Sequence, residues 1–233
     1  MLEEPLYQNI AACLATLVYV KGVVGACDAA VSARVLPSDI SRKIVHCAAG
    51  AWCLFWPFFN EDHWTWQLNV AIPAVYSVQL AVKGGIIQDP NDPDVKTMSR
   101  SGRPIELCQG PLLFALVMLY TGLYQFKTTT GVYIMAAMGF GDGIAPLVGK
   151  RFPVGYYRTF GQGQYKTVSG SFGMLLATLM GVRIFHTGIG VPIILHTTEI
   201  LGMAVVATLA EALGGKWDNP LIPAAVLCYM RFK

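Results

Sequence analysis

Eight long apolar segments follow one another through 233 residues, with no soluble stretch between them long enough to hold a core of its own. At about 20 residues per membrane crossing, they read as helices near 7–31, 43–60, 64–83, 108–126, 129–148, 170–189, 191–213 and 219–231, the last short for a full crossing. Only 13% of the residues are charged and 54% are hydrophobic, whereas soluble domains carry about a quarter charged residues. The expected fold is therefore all-α, a polytopic transmembrane helical bundle of about seven to eight spans. It forms a single integral membrane domain over residues 1–233.

Basic residues orient such a bundle. The loops after the first, third, fifth and seventh segments hold most of them, including Arg42, Lys43, Lys96, Arg100, Arg103, Lys150, Arg151 and Lys166. The other side holds Lys127, Arg183, Arg231 and Lys233. Those odd loops are expected on the cytoplasmic face, or the stromal face in a plastid. A net charge of +3 without a nucleic-acid motif excludes a nucleic-acid partner. Six cysteines without a CxxC spacing read as buried thiols rather than redox or metal groups. The N-terminus lacks a basic region, and its apolar run is long for a signal peptide.

The chemistry concentrates in GFGDGIAPLVGKRFPVGYYRTFGQGQYKTVSGSFG, residues 139–173. Asp142 leaves an apolar span, where a carboxylate is costly and therefore a candidate functional group. Lys150, Arg151, Arg158 and Lys166 follow, and then a hydroxyl- and glycine-rich helix start, Thr167-Val168-Ser169-Gly170-Ser171. Such a start offers free N–H groups to an anion, and glycine lets a backbone approach a phosphate closely. The pattern suggests a Mg²⁺-phosphate site, although the GxxxxGK[ST] spacing of a Walker loop is absent. An ordinary basic loop between membrane helices would look similar.

The orientation gathers further groups onto the same face. Ser41-Arg42-Lys43-Ile44-Val45-His46 opens the second segment, where the basic pair reads as a membrane anchor and His46 as a packed or catalytic imidazole. Arg100 and Arg103 precede the fourth segment and suit bidentate phosphate binding. Glu211 closes the seventh segment beside a glycine break, and Asp218-Asn219-Pro220 follows as a helix cap. Asp142, Glu211 and Asp218 are hard oxygen ligands of the kind Mg²⁺ shares with a nucleotide. His196 and Glu199, three apart, read as a buried polar contact between helices near mid-membrane. Trp52, Trp56, Trp64 and Trp66 read as an interfacial belt.

Taken together, RKIVH, TMSRSGRPIELCQGP, GDGIAPLVGKRF with KTVSGS, VATLAEAL and DNPLIP resemble, in order and spacing, the polyprenol kinase family. That family includes phytol, farnesol and dolichol kinases and is related to the CDP-diacylglycerol synthases. The resemblance covers residues 42–223, and the plant and algal phytol/farnesol kinases look most similar. It implies a kinase that phosphorylates a long-chain isoprenoid alcohol, commonly with CTP, in a membrane that is plausibly a plastid envelope or thylakoid. Carried over, Asp142 would bind Mg²⁺ with Glu211 or Asp218. Lys166, Thr167, Ser169 and Gly170 would hold the nucleotide phosphates with Lys150 and Arg151 nearby, and Arg100 and Arg103 would close over the triphosphate. Asp142 or His46 would take the alcohol proton. The chain departs from the family at Pro153, where glycine is usual, across residues 155–163, and at Thr167 in place of serine.

Two other readings share these features. A CTP:phosphatidate-type cytidylyltransferase would use the same carboxylates and lysine loop but release pyrophosphate. A kinase-derived structural subunit of a larger membrane complex, such as a photosynthetic one, would bind lipids and pigments without turnover.

Overall fold

The computed structural model describes residues 3–99, 101–160, 165–192 and 195–233. Among them, six helices are long and apolar enough to cross a membrane: Glu4–Ser32, Trp64–Ile87, Pro104–Tyr124, Thr129–Arg151, Val168–Ile189 and Thr197–Gly214. Two of the expected spans do not qualify. The second is helix α2 (Ser38–Gly50) continued by a 3₁₀ segment, Ala51–Phe58, with Pro57 inside it. Its first turns carry Asp39, Arg42, Lys43 and His46, so only its far half is apolar. The last, α10 (Asp218–Arg231), has 14 residues and reaches only about 21 Å at 1.5 Å per residue.

Both nevertheless run the height of the bundle. Along helix α1 (Glu3–Ser32), Tyr19 donates to the Ala48 carbonyl, and Asn9, farther toward the N-terminus, donates to the Asn60 carbonyl. The α2 segment is therefore antiparallel to α1 over its whole length. In the same way Tyr229 near the end of α10 donates to the Glu199 carbonyl at the start of α9 (Thr197–Gly214).

The central rod is Thr129–Arg151: α6 (Thr129–Met135), a π-helical turn (Ala136–Gly141) and α7 (Asp142–Arg151). Its span is 72% buried, against 17% for α1. Val132 through Met138 are fully enclosed by Trp52, Trp56, Met174, Phe185, Met203 and Ile222 from the surrounding helices. In a bilayer, apolar burial gives helices little reason to associate, so close approach through small residues must do so. Here Gly50 of α2 meets Gly139 of the π turn so tightly that a Cβ on Gly50 would lie 2.4 Å from the Gly139 Cα. A Cβ on Gly143 would lie 2.4 Å from the Cys47 sulfur. These contacts lock α2 against the rod on the side that carries Asp142. They also give Gly143, next to Asp142, a packing purpose.

Helices α3 (Ala71–Val82) and α5 (Gly110–Tyr124) stand on the other flank of α2, tied to each other near their polar ends by the short α4 (Pro93–Met98) and a 3₁₀ turn, Pro104–Cys108. After α7 the chain forms an antiparallel hairpin, β1 (Tyr156–Arg158) and β2 (Tyr165–Thr167), with Tyr157 opposite Lys166, before α8 (Val168–Ile189).

Two sequence expectations are corrected by this packing. Trp52 and Trp56 are fully buried core residues rather than interfacial anchors, because the 3₁₀ segment turns their rings inward; Trp64 is exposed. His196 and Glu199 lie at the N-terminal end of α9, which begins six residues later than the apolar run. There they form a capping box, with the His196 amide donating to Glu199 at 3.0 Å.

Candidate functional site

The end of the bundle where α2, α7, β2, α9 and α10 meet brings three carboxylates together. Asp142 opens α7 directly after the π turn, Glu211 lies in the last turn of α9, and Asp218 opens α10. All three are substantially buried, and each offers an oxygen within 4.8 Å of the others. Carboxylates so close repel one another strongly unless cations separate them.

Two lysines do so. Lys166 reaches in from β2 and donates to the Glu211 carboxylate and carbonyl, both at 2.5 Å, and to Asp218 at 3.3 Å. Burial works against the Lys166 charge, yet Glu211 and Asp218 outweigh it and hold the ammonium above its usual pKa range. Lys43 from α2 lies 3.6 Å from Asp142 Oδ2 and donates to its carbonyl at 3.2 Å. Three carboxylates against two ammonium groups leave one formal negative charge, together with hard oxygen donors. That donor set fits a divalent cation such as Mg²⁺.

His46 completes the cluster. Its Nε2 is 3.2 Å from Asp142 Oδ2 and 2.8 Å from the Met138 carbonyl, and its ring stacks on Phe114 at 4.3 Å. Both neighbours of Nε2 are acceptors, so this nitrogen carries a hydrogen and donates. Met138 lies within the π turn, a distortion frequent at functional sites.

Other residues singled out in the sequence sit elsewhere. Thr167 caps α8, its hydroxyl accepting from the Gly170 amide at 3.1 Å, and Gly170 packs against Gly149. Ser169 donates to the Phe152 carbonyl and secures the loop before the hairpin. Lys150 pairs with Asp39 at 2.7 Å at the surface, and Arg151 lies over the Phe152 ring. Arg103 is exposed and bonds Ser101 and Glu106. Arg100 lies outside the described residues, as do residues 161–164 of the hairpin loop.

Two members of the site were not anticipated. Lys43 was read only as a membrane anchor, although Lys43 and His46 are three apart on one helix and so share a face. Asn219 sits beside Asp218 and donates from Nδ2 to the Gly110 carbonyl at 3.3 Å, leaving a buried Oδ1 without a hydrogen-bond partner among the described residues.

No family model and no solved structure matches the chain. Among curated proteins, it is 28% identical over 240 residues to the probable phytol kinase 1, chloroplastic, of Glycine max, covering 98% of this chain and 78% of that one. It is 30% identical over 149 residues to the phytol kinase 1, chloroplastic, of Arabidopsis thaliana, covering 63% of this chain and 49% of that one. The farnesol kinase, chloroplastic, of the same plant is 28% identical over 146 residues, covering 61% of this chain and 46% of the relative.

Proposed function

For a chain whose curated homologues are phytol and farnesol kinases, and which is thus phytol/polyprenol kinase-like, we propose a membrane kinase that transfers the γ-phosphate of a nucleoside triphosphate to an isoprenoid alcohol. CTP is the donor the family resemblance favours, and a plastid membrane the home that the relatives' names favour. The observation that carries the reading is the buried Asp142–Glu211–Asp218 cluster with Lys166 inside it.

Phosphoryl transfer asks a protein mainly for positioning and charge neutralisation. Asp142, Glu211 and Asp218 would hold Mg²⁺, which when bound offsets charge on the triphosphate. Lys166 supplies a cation at the same place, whereas the first amides of α8 are taken up by the Gly155 and Val154 carbonyls and the Thr167 hydroxyl, so the helix start does not offer the free N–H groups expected from sequence. Lys150, Arg151 and Arg103, basic residues of the loops on this side of the bundle, would help draw in the polyanion. The alcohol oxygen attacks the γ-phosphorus, the bond from that phosphorus to the β–γ bridging oxygen breaks, and the nucleoside diphosphate leaves with that electron pair. The hydroxyl proton passes to Asp142, because His46 Nε2 already carries a hydrogen and holds Asp142 in place.

The test uses full-length protein in detergent with Mg²⁺, γ-labelled CTP or ATP, and phytol, geranylgeraniol, farnesol and dolichol. Label should enter one or more alcohols with release of nucleoside diphosphate, and Asp142→Asn and Lys166→Ala should each abolish it. Folded protein that transfers no label from either nucleotide to any alcohol would overturn the reading. Release of pyrophosphate would do the same.

A further inference from the structure

A cavity of about 220 Å³ opens beside the carboxylate cluster and descends between α1, α2, α3 and α5. Its polar end includes Arg42, Lys43, His46, Asp142, Asp218 and Asn219, and its walls below are mostly apolar. Three helices measure its depth independently. It is lined on α1 from Asp28 to Val20, on α3 from Leu80 to Ile72 and on α5 from Gly110 to Met118. Each stripe spans nine residues, eight steps or about 12 Å at 1.5 Å per residue. The directions agree as well. Gly110, at the mouth, accepts from Asn219, and Ile72 lies next to the 3₁₀ turn whose Asn69 holds the floor.

That floor is Trp52. Its indole donates to the Asn69 carbonyl at 2.9 Å and stands edge-on to Trp56 at 5.4 Å, so it is fixed from two sides. Ala49, three residues above it on α2, leaves the shaft open at the level where a larger side chain would close it.

The cavity thus suits a linear molecule with one polar end and a hydrocarbon body, its head beside the carboxylate that takes the proton. A hydroxyl is the head group the mouth asks for, because Asn219 Oδ1 is an acceptor without a partner and an O–H can donate to it. We propose that this shaft is the binding site for the isoprenoid tail of the acceptor alcohol, and that Trp52 sets how much of the chain it accepts. The proposal rests on the kinase reading for the identity of the molecule, an isoprenoid alcohol. Helix α1, the least enclosed span, forms one wall of the shaft.

A farnesol carrying a diazirine at its terminal carbon tests the site in nucleotide-free, full-length protein. Photolysis should attach the probe to residues around Trp52, Ile72 and Met118, and excess phytol should compete it away. Ala49→Leu, checked for an unchanged melting temperature, should reduce this labelling at least about tenfold, the discrimination a few methylenes give in an apolar pocket. In the transfer assay the same variant should lose farnesol and phytol by a similar factor and retain the shorter geraniol. Labelling confined to the outer faces of α8 or α9 would overturn the proposal even if phosphate transfer is intact. So would an Ala49→Leu variant that lowers all alcohols equally. Labelling in the shaft that Ala49→Leu removes, in a protein without phosphate transfer, would support the tail site while the kinase reading falls.

Discussion

His46 shows how much one hydrogen position decides at this site. With Nε2 between the Met138 carbonyl and Asp142 Oδ2, the imidazole of the proposed kinase would act through the carboxylate it aims rather than through a proton it removes. A side-chain amide can supply the same N–H. His46→Gln should therefore stay within about tenfold of the parent kcat, while His46→Ala falls about 10–100-fold, the usual cost of losing a partner that orients a metal-ligating carboxylate. Steady-state kinetics on both variants, with KM nearly unchanged, checks this. A glutamine variant as impaired as the alanine one would return His46 to the role of base. Lys43 is the instructive counterpart: a lysine opening a membrane helix has a sufficient explanation in topology, so its charge gives no sequence signal of a second duty.

Among the elements, the crossing of α2 and the π turn is the joint on which the site depends. Gly50 and Gly139 touch backbone to backbone, so a methyl group there must push the helices apart. Overpacking of this kind costs about 1–3 kcal/mol. Gly50→Ala should lower the melting temperature by several degrees and reduce kcat more than stability alone explains, because Lys43 and His46 move away with α2. Gly22, which has open space around it on α1, is the control, and Gly22→Ala should be silent in both measurements. A second joint ties the start of α4 to the turn that follows α3: Lys83 contacts Asp92 at 3.0 Å and Asp94 at 2.5 Å. Burial pushes the Asp92 carboxyl up, but hydrogen bonds from Lys83 and the Asp94 amide outweigh it and hold the group below the usual carboxylate range. A lowered folded pKa stabilises above the unfolded value and is lost as pH falls through the folded one. Asp92→Asn should therefore reduce thermal stability at pH 7, by about 1 kcal/mol or less, and the difference should shrink toward pH 3. A difference that grows on acidification would contradict this clasp.

At the scale of the whole molecule, the parts legible in sequence are those set by local rules. Apolar length gave the helices and their order, and the charges in the loops picked out the end of the bundle where the cluster lies. The rest depends on partners distant in the chain. Nothing in the sequence alone sets Trp52 and Trp56 against the central rod or pairs Tyr157 with Lys166 in a hairpin, whereas Thr167 capping α8 through the Gly170 amide follows a local rule. Asp142, Glu211 and Asp218 could be named, but their convergence needed α9 and α10 to fold back on α7. That convergence has a thermodynamic signature. If the proposed Mg²⁺ is what these crowded carboxylates hold, they should destabilise the metal-free protein, a familiar cost of a functional site. Asp218→Asn removes one charge while keeping an oxygen to accept from the Asn219 amide, as Asp218 does at 2.9 Å. The metal-free variant should melt no lower than the parent, and above it if repulsion outweighs the Lys166 contact. Adding Mg²⁺ with a non-hydrolysable nucleotide at about a hundred times its Kd should stabilise the parent by about 2.7 kcal/mol. For a chain of this size that is a rise of about 5–10 °C, and the variant should show little of it. Thermal denaturation in detergent, with and without the additions, reads both halves of the prediction. An Asp218→Asn protein that melts lower when metal-free yet keeps the full Mg²⁺ response would make Asp218 a structural cap and leave Asp142 and Glu211 alone to meet the metal.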